Sequence, residues 1–160
     1  MRARGFTLIE VMVVLVILGI TTAAVSLSLS GLQARQTEHE IDRLRLVLEM
    51  AGERAAVTGT PIAAEFLPGR YRFSTLDTEG HWRPIVGDDP LVERELPDEL
   101  SWGALSVNGQ PPAGDPPLIF ASEMPRFVLG LRTPEGLREY RSLPDGAVML
   151  KIVTAKDSSQ

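Results

Sequence analysis

The chain has 160 residues, enough for one modest domain plus an anchoring segment. At 44% hydrophobic and 23% charged it is neither disordered nor collagenous, and a net charge of −5 with a pI near 5.1 argues against nucleic acid as a partner, which needs a basic face. There is no cysteine, which excludes disulfides and thiolate chemistry and fits either redox compartment.

The first element is an apolar run. Between Gly5 and Arg35 the only charged residue is Glu10, and Phe6 to about Leu29 is otherwise apolar or small. At about 1.5 Å of rise per residue, a helix of this length spans a bilayer core of about 30 Å. Gly19 and the hydroxyl residues Thr21, Thr22, Ser26, Ser28 and Ser30 weaken the helix, and the hydroxyls can bond back to the backbone or to a neighbouring helix. Arg2 and Arg4 precede the run, which places the N-terminus in the cytoplasm and the remainder across the membrane. A cleavable secretory signal has the same order of basic start and apolar core. Its core is shorter and carries no acid, and Thr22-Ala23-Ala24 offers only a weak cleavage site. A plain single-span anchor is the simpler alternative.

Glu10 separates the plain anchor from a more specific reading. An acid inside a membrane helix costs on the order of a few kcal/mol at the centre and less near an end. Glu10 stands near the cytoplasmic end, where snorkelling toward water accounts for it. The functional account needs a cation in the same layer. A chain cut after Gly5 would present a free ammonium on Phe6, four residues before Glu10, in its own or a neighbouring subunit.

Arg4-Gly5-Phe6-Thr7-Leu8-Ile9-Glu10 resembles the class III signal of type IV pilins and type II secretion pseudopilins. The resemblance covers this signal and the apolar segment behind it. It implies that a prepilin peptidase cuts after Gly5 and methylates Phe6, and that Glu10 directs filament assembly. Residues 1–5 are then a cleaved leader and 6–30 a transmembrane and assembly segment. Gly5 also suits a cut site, since a residue without a side chain lets a protease approach the backbone.

Farther along, Ile41, Leu44, Leu48, Ala51 and Ala55 recur at three- and four-residue steps, the stripe of an amphipathic helix over 31–59. Glu38, Glu40, Asp42, Arg43, Arg45, Glu49 and Glu53 read as its solvated face, with Asp42–Arg45 and Glu40–Arg43 as candidate pairs. The helix is expected to end near Thr58, with Gly59 as a left-handed cap and Pro61 beyond. From residue 60 to 160 the pattern turns to short β runs: Ile62–Leu67, Arg70–Leu76, His81–Val86, Leu100–Val107, Leu118–Ala121, Arg126–Arg132, Leu137–Ser142 and Val148–Val153. Pro68-Gly69, Thr78-Glu79-Gly80 and Pro134-Glu135-Gly136 read as hairpin turns. The stretch from Asn108 to Pro117 is a proline- and glycine-rich loop and a candidate contact surface, and Lys156–Gln160 should fray. The fold class expected is α+β: a long N-terminal helix, transmembrane in its first half and amphipathic in its second, packed on antiparallel sheet. This is also the pilin-like arrangement that the signal implies.

A second resemblance concerns the subclass. Pro117 to Leu129 is similar to a segment of H-type minor pseudopilins that runs from an apolar strand through a Ser-Gly-Glu-like turn to a Pro-Phe and a second strand. Here Ala121-Ser122-Glu123 occupies the turn and Arg126 splits Pro125 from Phe127. The resemblance implies a subunit at or near the tip of a periplasmic pseudopilus that helps export folded proteins through the outer-membrane secretin. Its partners would be the I-, J- and K-type minor pseudopilins, the major G-type subunit, the prepilin peptidase, the inner-membrane assembly platform and membrane lipid. The location implied is the inner membrane, single-pass, with the C-terminal domain in the periplasm. A minor pilin of a type IV pilus is the near alternative, and a membrane-anchored periplasmic enzyme or receptor the remote one.

Chemistry-bearing patterns are few. His39 and His81 lack zinc-ligand spacing. Asp88-Asp89 with Glu93 and Glu95 offers oxygens for calcium but lacks the spacing of a calcium loop, so a solvated acidic loop is the plainer reading. There is no nucleophile elbow, Walker loop or dinucleotide fingerprint, and the adjacent Asp98 and Glu99 would point opposite ways on a strand. The expectation is a protein that is no enzyme, with no cofactor and no metal. Phe120 and Phe127 read as core, Trp82 and Trp102 as candidates for a partner surface.

Overall fold

A computed structural model describes residues 8–114 and 116–153, with only the helical backbone described over 22–34. The chain divides into two compact units, Met1–Glu38 and His39–Gln160. Helix α1, Leu8–Thr58, contributes to both. It stops where the sequence says it should. Thr58 folds its hydroxyl back onto the Arg54 carbonyl at 2.7 Å. Gly59 then takes φ 68°, and its N–H reaches the Ala55 carbonyl at 3.0 Å.

The second unit carries two antiparallel sheets. Strands β1 (Ile62–Leu67), β2 (Arg70–Leu76), β3 (Trp82–Pro84), β4 (Arg94–Glu95) and β6 (Leu118–Phe120) form the first, in the order β3-β2-β1-β6 with β4 alongside β2. Strands β5 (Ser101–Val107), β7 (Phe127–Thr133), β8 (Gly136–Ser142) and β9 (Val148–Val153) form the second, in the order β5-β7-β8-β9. Leu67 pairs with Arg70 across Pro68-Gly69, a two-residue turn that needs the positive φ of 70° at Gly69.

The core of this unit lies between the helix and both sheets. Ile41, Leu44, Val47, Leu48, Ala51 and Ala55 supply the helix side. Ile62, Ala64, Tyr71, Phe73, Leu118 and Phe120 come from the first sheet, and Phe127, Leu129, Leu131, Tyr140 and Val148 from the second. Tyr140 donates its hydroxyl to the Ile41 carbonyl at 3.0 Å, and the Val148 N–H donates to Glu49 at 2.8 Å, so the second sheet is bonded as well as packed to the helix. Burial raises the Tyr140 pKa well above its ordinary range.

Several expectations change. The third strand is shorter than His81–Val86: only Trp82, Arg83 and Pro84 stand in ladder register with β2, and beyond them a single bond from the Ile85 N–H to the Phe73 carbonyl at 2.9 Å continues the contact. The short β4 was not expected. Glu40 is not on a solvated face: it is buried, accepting the Tyr71 hydroxyl at 2.6 Å and the Arg94 Nε at 3.1 Å. Arg43 bonds the Pro90 carbonyl at 2.9 Å and Arg45 pairs with Glu49 at 2.9 Å, in place of the Glu40–Arg43 and Asp42–Arg45 pairs. Phe120 and Phe127 are core residues in edge-to-face contact, as expected. Trp102 is half-buried against Phe66 and Tyr71, and its indole N–H donates to the Leu67 carbonyl at 2.7 Å. It ties one sheet to the other. Lys156–Gln160 lies outside the described residues.

Candidate filament-assembly segment and the domain behind it

Gly5 and Phe6 lie outside the described residues. Glu10 is in the first turn of α1, exposed, on a segment where Leu8, Ile9, Val11, Met12, Val13, Val14, Leu15, Val16, Ile17, Leu18 and Ile20 are all exposed as well. The apolar side chains point to every side of the helix, so no rotation could hide them against one surface. A Cβ at Gly19 would meet nothing within 4 Å. Thr21 bonds its hydroxyl back to the Ile17 and Leu18 carbonyls at 2.9 and 3.0 Å, the backbone option among those read from sequence. Among the described residues no helix is long and apolar enough to cross a membrane. The apolar stretch with described side chains, 8–21, covers about 21 Å at about 1.5 Å per residue. The side chains of 22–30, the rest of the expected span, lie outside the described ones.

In the second unit a long connection, 85–100, is strapped to the helix and to β2. Leu91 is buried in the core. Asp89 accepts Arg54 at 2.7 Å through one oxygen and the Leu91 N–H at 2.8 Å through the other. The Arg54 hydrogen bond, followed by the Leu91 N–H, holds the Asp89 carboxyl below its ordinary range. Glu93 faces Arg70 at 3.5 Å. Of the acids read as candidate calcium ligands, Asp89 is therefore committed to Arg54 and the Leu91 N–H, and Glu93 faces Arg70.

The two histidines differ. His39 is exposed on the helix. His81 sits in the β2–β3 turn, where Asp77, Glu79 and His81 bring ligand atoms within 4.8 Å of one another, a grouping that sequence spacing did not show. Asp77 is already engaged there. One oxygen accepts the N–H groups of Glu79 and His81 at 2.9 and 2.8 Å, and the other accepts Arg83 Nε at 2.9 Å. The His81 N–H first, then Arg83, holds this carboxyl below its ordinary range. A guanidinium in that place opposes a second cation.

A groove of about 1280 Å³ runs between the end of α1 and the connections after β5, β6 and β8. Asn108 and Gly109, at the start of the proline-rich loop, help to line it together with Gly52, Met124, Arg126 and Phe127. Asn108 at φ 55° and Gly109 at φ 78° form a tight turn that returns Gln110 onto Val107, so the loop begins as a hairpin end and not as irregular chain. Asp115 lies outside the described residues.

A family model described as the prokaryotic N-terminal methylation motif matches residues 1–26. Type II secretion system protein H of Aeromonas hydrophila is 28% identical over 101 residues, covering 62% of this chain and 55% of that protein. The protein of the same name from Klebsiella pneumoniae is 29% identical over 122 residues, covering 76% of this chain and 71% of its own length. Signal, sequence and fold agree: the chain is similar to H-type minor pseudopilins. Two solved structures of the minor pseudopilin EpsH of Vibrio cholerae share the fold. One has a TM-score of 0.60 at 14% identity, covering 75% of this chain and 96% of that one. The other has a TM-score of 0.56 at 18% identity, covering 72% and 96%. The α+β, pilin-like architecture read from the sequence is the architecture observed. The chain spans little more than half of the Aeromonas relative, at 55% of its length.

Proposed function

We propose that the chain is a minor pseudopilin of a type II secretion system, a structural subunit at or near the tip of a periplasmic pseudopilus that helps export folded proteins through the outer-membrane secretin. The observation that carries this reading is the methylation motif over residues 1–26, placed ahead of a domain with the H-type fold. In this reading residues 1–5 are a leader and a prepilin peptidase cuts between Gly5 and Phe6 and methylates Phe6. Residues 6–30 anchor the subunit in the inner membrane, and 31–59 extend the helix into a periplasmic domain completed by 60–160. Glu10 receives the N-terminal ammonium of a neighbour. The partners are the I-, J- and K-type minors, the major G-type subunit, the peptidase, the assembly platform and lipid. The subunit acts by assembly and not by catalysis.

The wholly apolar exposed surface around Glu10 supports the anchor and assembly roles, because such a surface needs lipid or other helices to cover it. The experiment is the mass of the N-terminal peptide from membrane-extracted protein, made with and without a prepilin peptidase. N-methylated Phe6, formed only with the peptidase, is the expected result. An intact Met1, or a cut near Ala24, removes the filament reading. In the processed protein, Glu10→Gln should leave cleavage intact and reduce incorporation into the filament. Incorporation equal to that of the unaltered chain would leave Glu10 as a snorkelling acid. A type IV pilus subunit would give the same peptide, and assembly with pilus rather than pseudopilus subunits would identify it.

A further inference from the structure

We infer that the free edge of β9 takes an extended strand from a different minor subunit of the pseudopilus. The inference rests on the filament reading above and adds a contact between periplasmic domains.

The strand orders β3-β2-β1-β6 and β5-β7-β8-β9 leave four terminal strands, each with one neighbour in its row. The unpaired N–H and C=O groups along such an edge are a template for another strand, and proteins blunt the edges that must stay single. Three of the four are blunted here. β3 has three residues and ends on Pro84, which has no N–H to offer. β6 also has three residues and follows Pro116-Pro117. β5 is broken by a register shift between Trp102 and Leu105, and Gln110 closes its far end, exchanging bonds with Val107 at 2.9 and 3.1 Å. β9 differs. It runs six residues, Val148–Val153, in unbroken register with β8 and without proline or glycine. Its charged residue, Lys151, stands opposite Glu139 on β8.

One bond fixes which groups of β9 look outward. The Val148 N–H turns away from β8 and donates to Glu49 at 2.8 Å. Outward groups recur at every second residue of an antiparallel ladder, so the N–H and C=O of Leu150 and Ile152 look outward too, while those of Met149, Lys151 and Val153 face β8. Among the described residues no hydrogen bond reaches the outward groups of Leu150 and Ile152.

An edge specifies its occupant more narrowly than an apolar patch does, because only an extended backbone matches the two donors and two acceptors of Leu150 and Ile152 in alternation. Met149 and Ile152 are exposed on opposite sides of β9, so the occupant is apolar at the positions beside them. Glu49 already holds the Val148 N–H, and the added strand therefore stops short of the β8–β9 turn. The same bond sets β9 beside α1, the helix through which subunits gather in the filament reading. A minor subunit at a tip has subunits of other types as its neighbours, which makes the donor a different chain and not a second copy.

The amides themselves supply the test. The full-length chain is reconstituted in phosphatidylcholine vesicles alone and with the full-length I-, J- and K-type subunits in turn, and hydrogen exchange is read residue by residue. With the subunit that donates the strand, the Leu150 and Ile152 amides should slow by about tenfold, the worth of one hydrogen bond, while Met149 and Lys151 change less. Ile152→Pro deletes an outward donor and no ladder bond, and should lower co-purification with that subunit about tenfold. Ile152→Ala keeps the N–H and should lower it less. The unfolding midpoint checks that both variants fold, and where Ile152→Pro lowers it, the exchange of the unaltered chain decides. Equal losses from the two substitutions would mean a side-chain patch and overturn the inference. So would amides already slow in the chain alone, where residues 154–160 or a second copy would be the occupant. Co-purification without slowing overturns the edge contact and leaves the filament reading intact. Failure to co-purify with any of the three subunits removes the filament reading, and this contact with it.

Discussion

The two ends of helix α1 solve the problem of apolar surface in opposite ways. From Leu8 to Ile20 every large apolar side chain is exposed. From Ile41 to Ala55 the apolar side chains of one stripe are buried among two sheets of the same chain. Secondary structure is the same in both, and what differs is the arrangement of polarity around the axis. A stripe can be covered by one surface, so the second half finds its neighbours within the chain. A helix that is apolar on all sides cannot, so the first half needs lipid or other helices from outside.

The largest expected effect contrasts one leucine from each end. Leu48 is fully buried, and Leu48→Ala should destabilise the domain by about 2–5 kcal/mol, the transfer loss plus a cavity. Leu15→Ala should leave the unfolding midpoint of the domain unchanged, because Leu15 is exposed. Denaturant unfolding followed by tryptophan fluorescence reads both, with Trp102 as the half-buried reporter. An equal loss from the two substitutions would break the contrast between the ends.

Glu40→Ala comes next. It strands the buried Tyr71 hydroxyl and removes the anion facing Arg94, at a cost of about 1–3 kcal/mol. Adding Tyr71→Phe should recover part of that loss, because the stranded donor disappears. A double-mutant cycle that proved additive would show that Glu40 and Tyr71 do not act together.

Where the pattern in the sequence is local, it was sufficient. β1, β2 and β9 have the bounds that alternation and the Pro68-Gly69 turn require, and α1 ends at Thr58 as its cap demands. Where the cause lies across the chain, the sequence was silent. β4 is two residues long and exists only because Arg94 and Glu95 lie beside Tyr71 and Arg70. Glu40 looks like any acid between helix positions, yet its partners are 31 and 54 residues away. Trp102 resembles an exposed aromatic between Ser101 and Gly103, and its half-burial comes from Phe66 and Tyr71 on the other sheet. Of the candidate site, Glu10 is legible because an acid in an apolar run is anomalous by itself. The grouping of Asp77, Glu79 and His81 depends on the path of a turn, and the open edge of β9 depends on its register with β8 and on Glu49.

Gly19 and Gly52, one toward each end of the helix, sharpen the contrast further. A Cβ on Gly52 would lie 2.6 Å from the Met124 sulfur and 3.7 Å from Phe120, whereas one on Gly19 would meet nothing. Gly52→Val should displace Met124 and cost about 1–3 kcal/mol by overpacking. Gly19→Val should leave the domain's unfolding midpoint unmoved. A stable Gly52→Val would mean that the flexible thioether swings aside without loss.

The smallest effect expected is that of the strap's anchor, and it carries a pH signature. Arg54 holds Asp89 below the ordinary carboxyl value of 3.8, so the folded chain binds this proton less readily than the unfolded one. The resulting stability is complete above about pH 3.8. It is lost as the pH falls from there through the lower folded value. Asp77 is shifted the same way and contributes in the same direction. Asp89→Asn should therefore cost about 1 kcal/mol or less at neutral pH, since the pair is partly solvated. It should also flatten part of the acid limb of the stability curve while leaving the part due to Asp77. Nothing in the first half of α1 should alter that limb, because the strap is fastened to Arg43 and Arg54 of the second half alone. Urea midpoints of Asp89→Asn and the unaltered chain between pH 3 and 7 measure it. Parallel curves would show that the Arg54 bond to Asp89 does not contribute to folding.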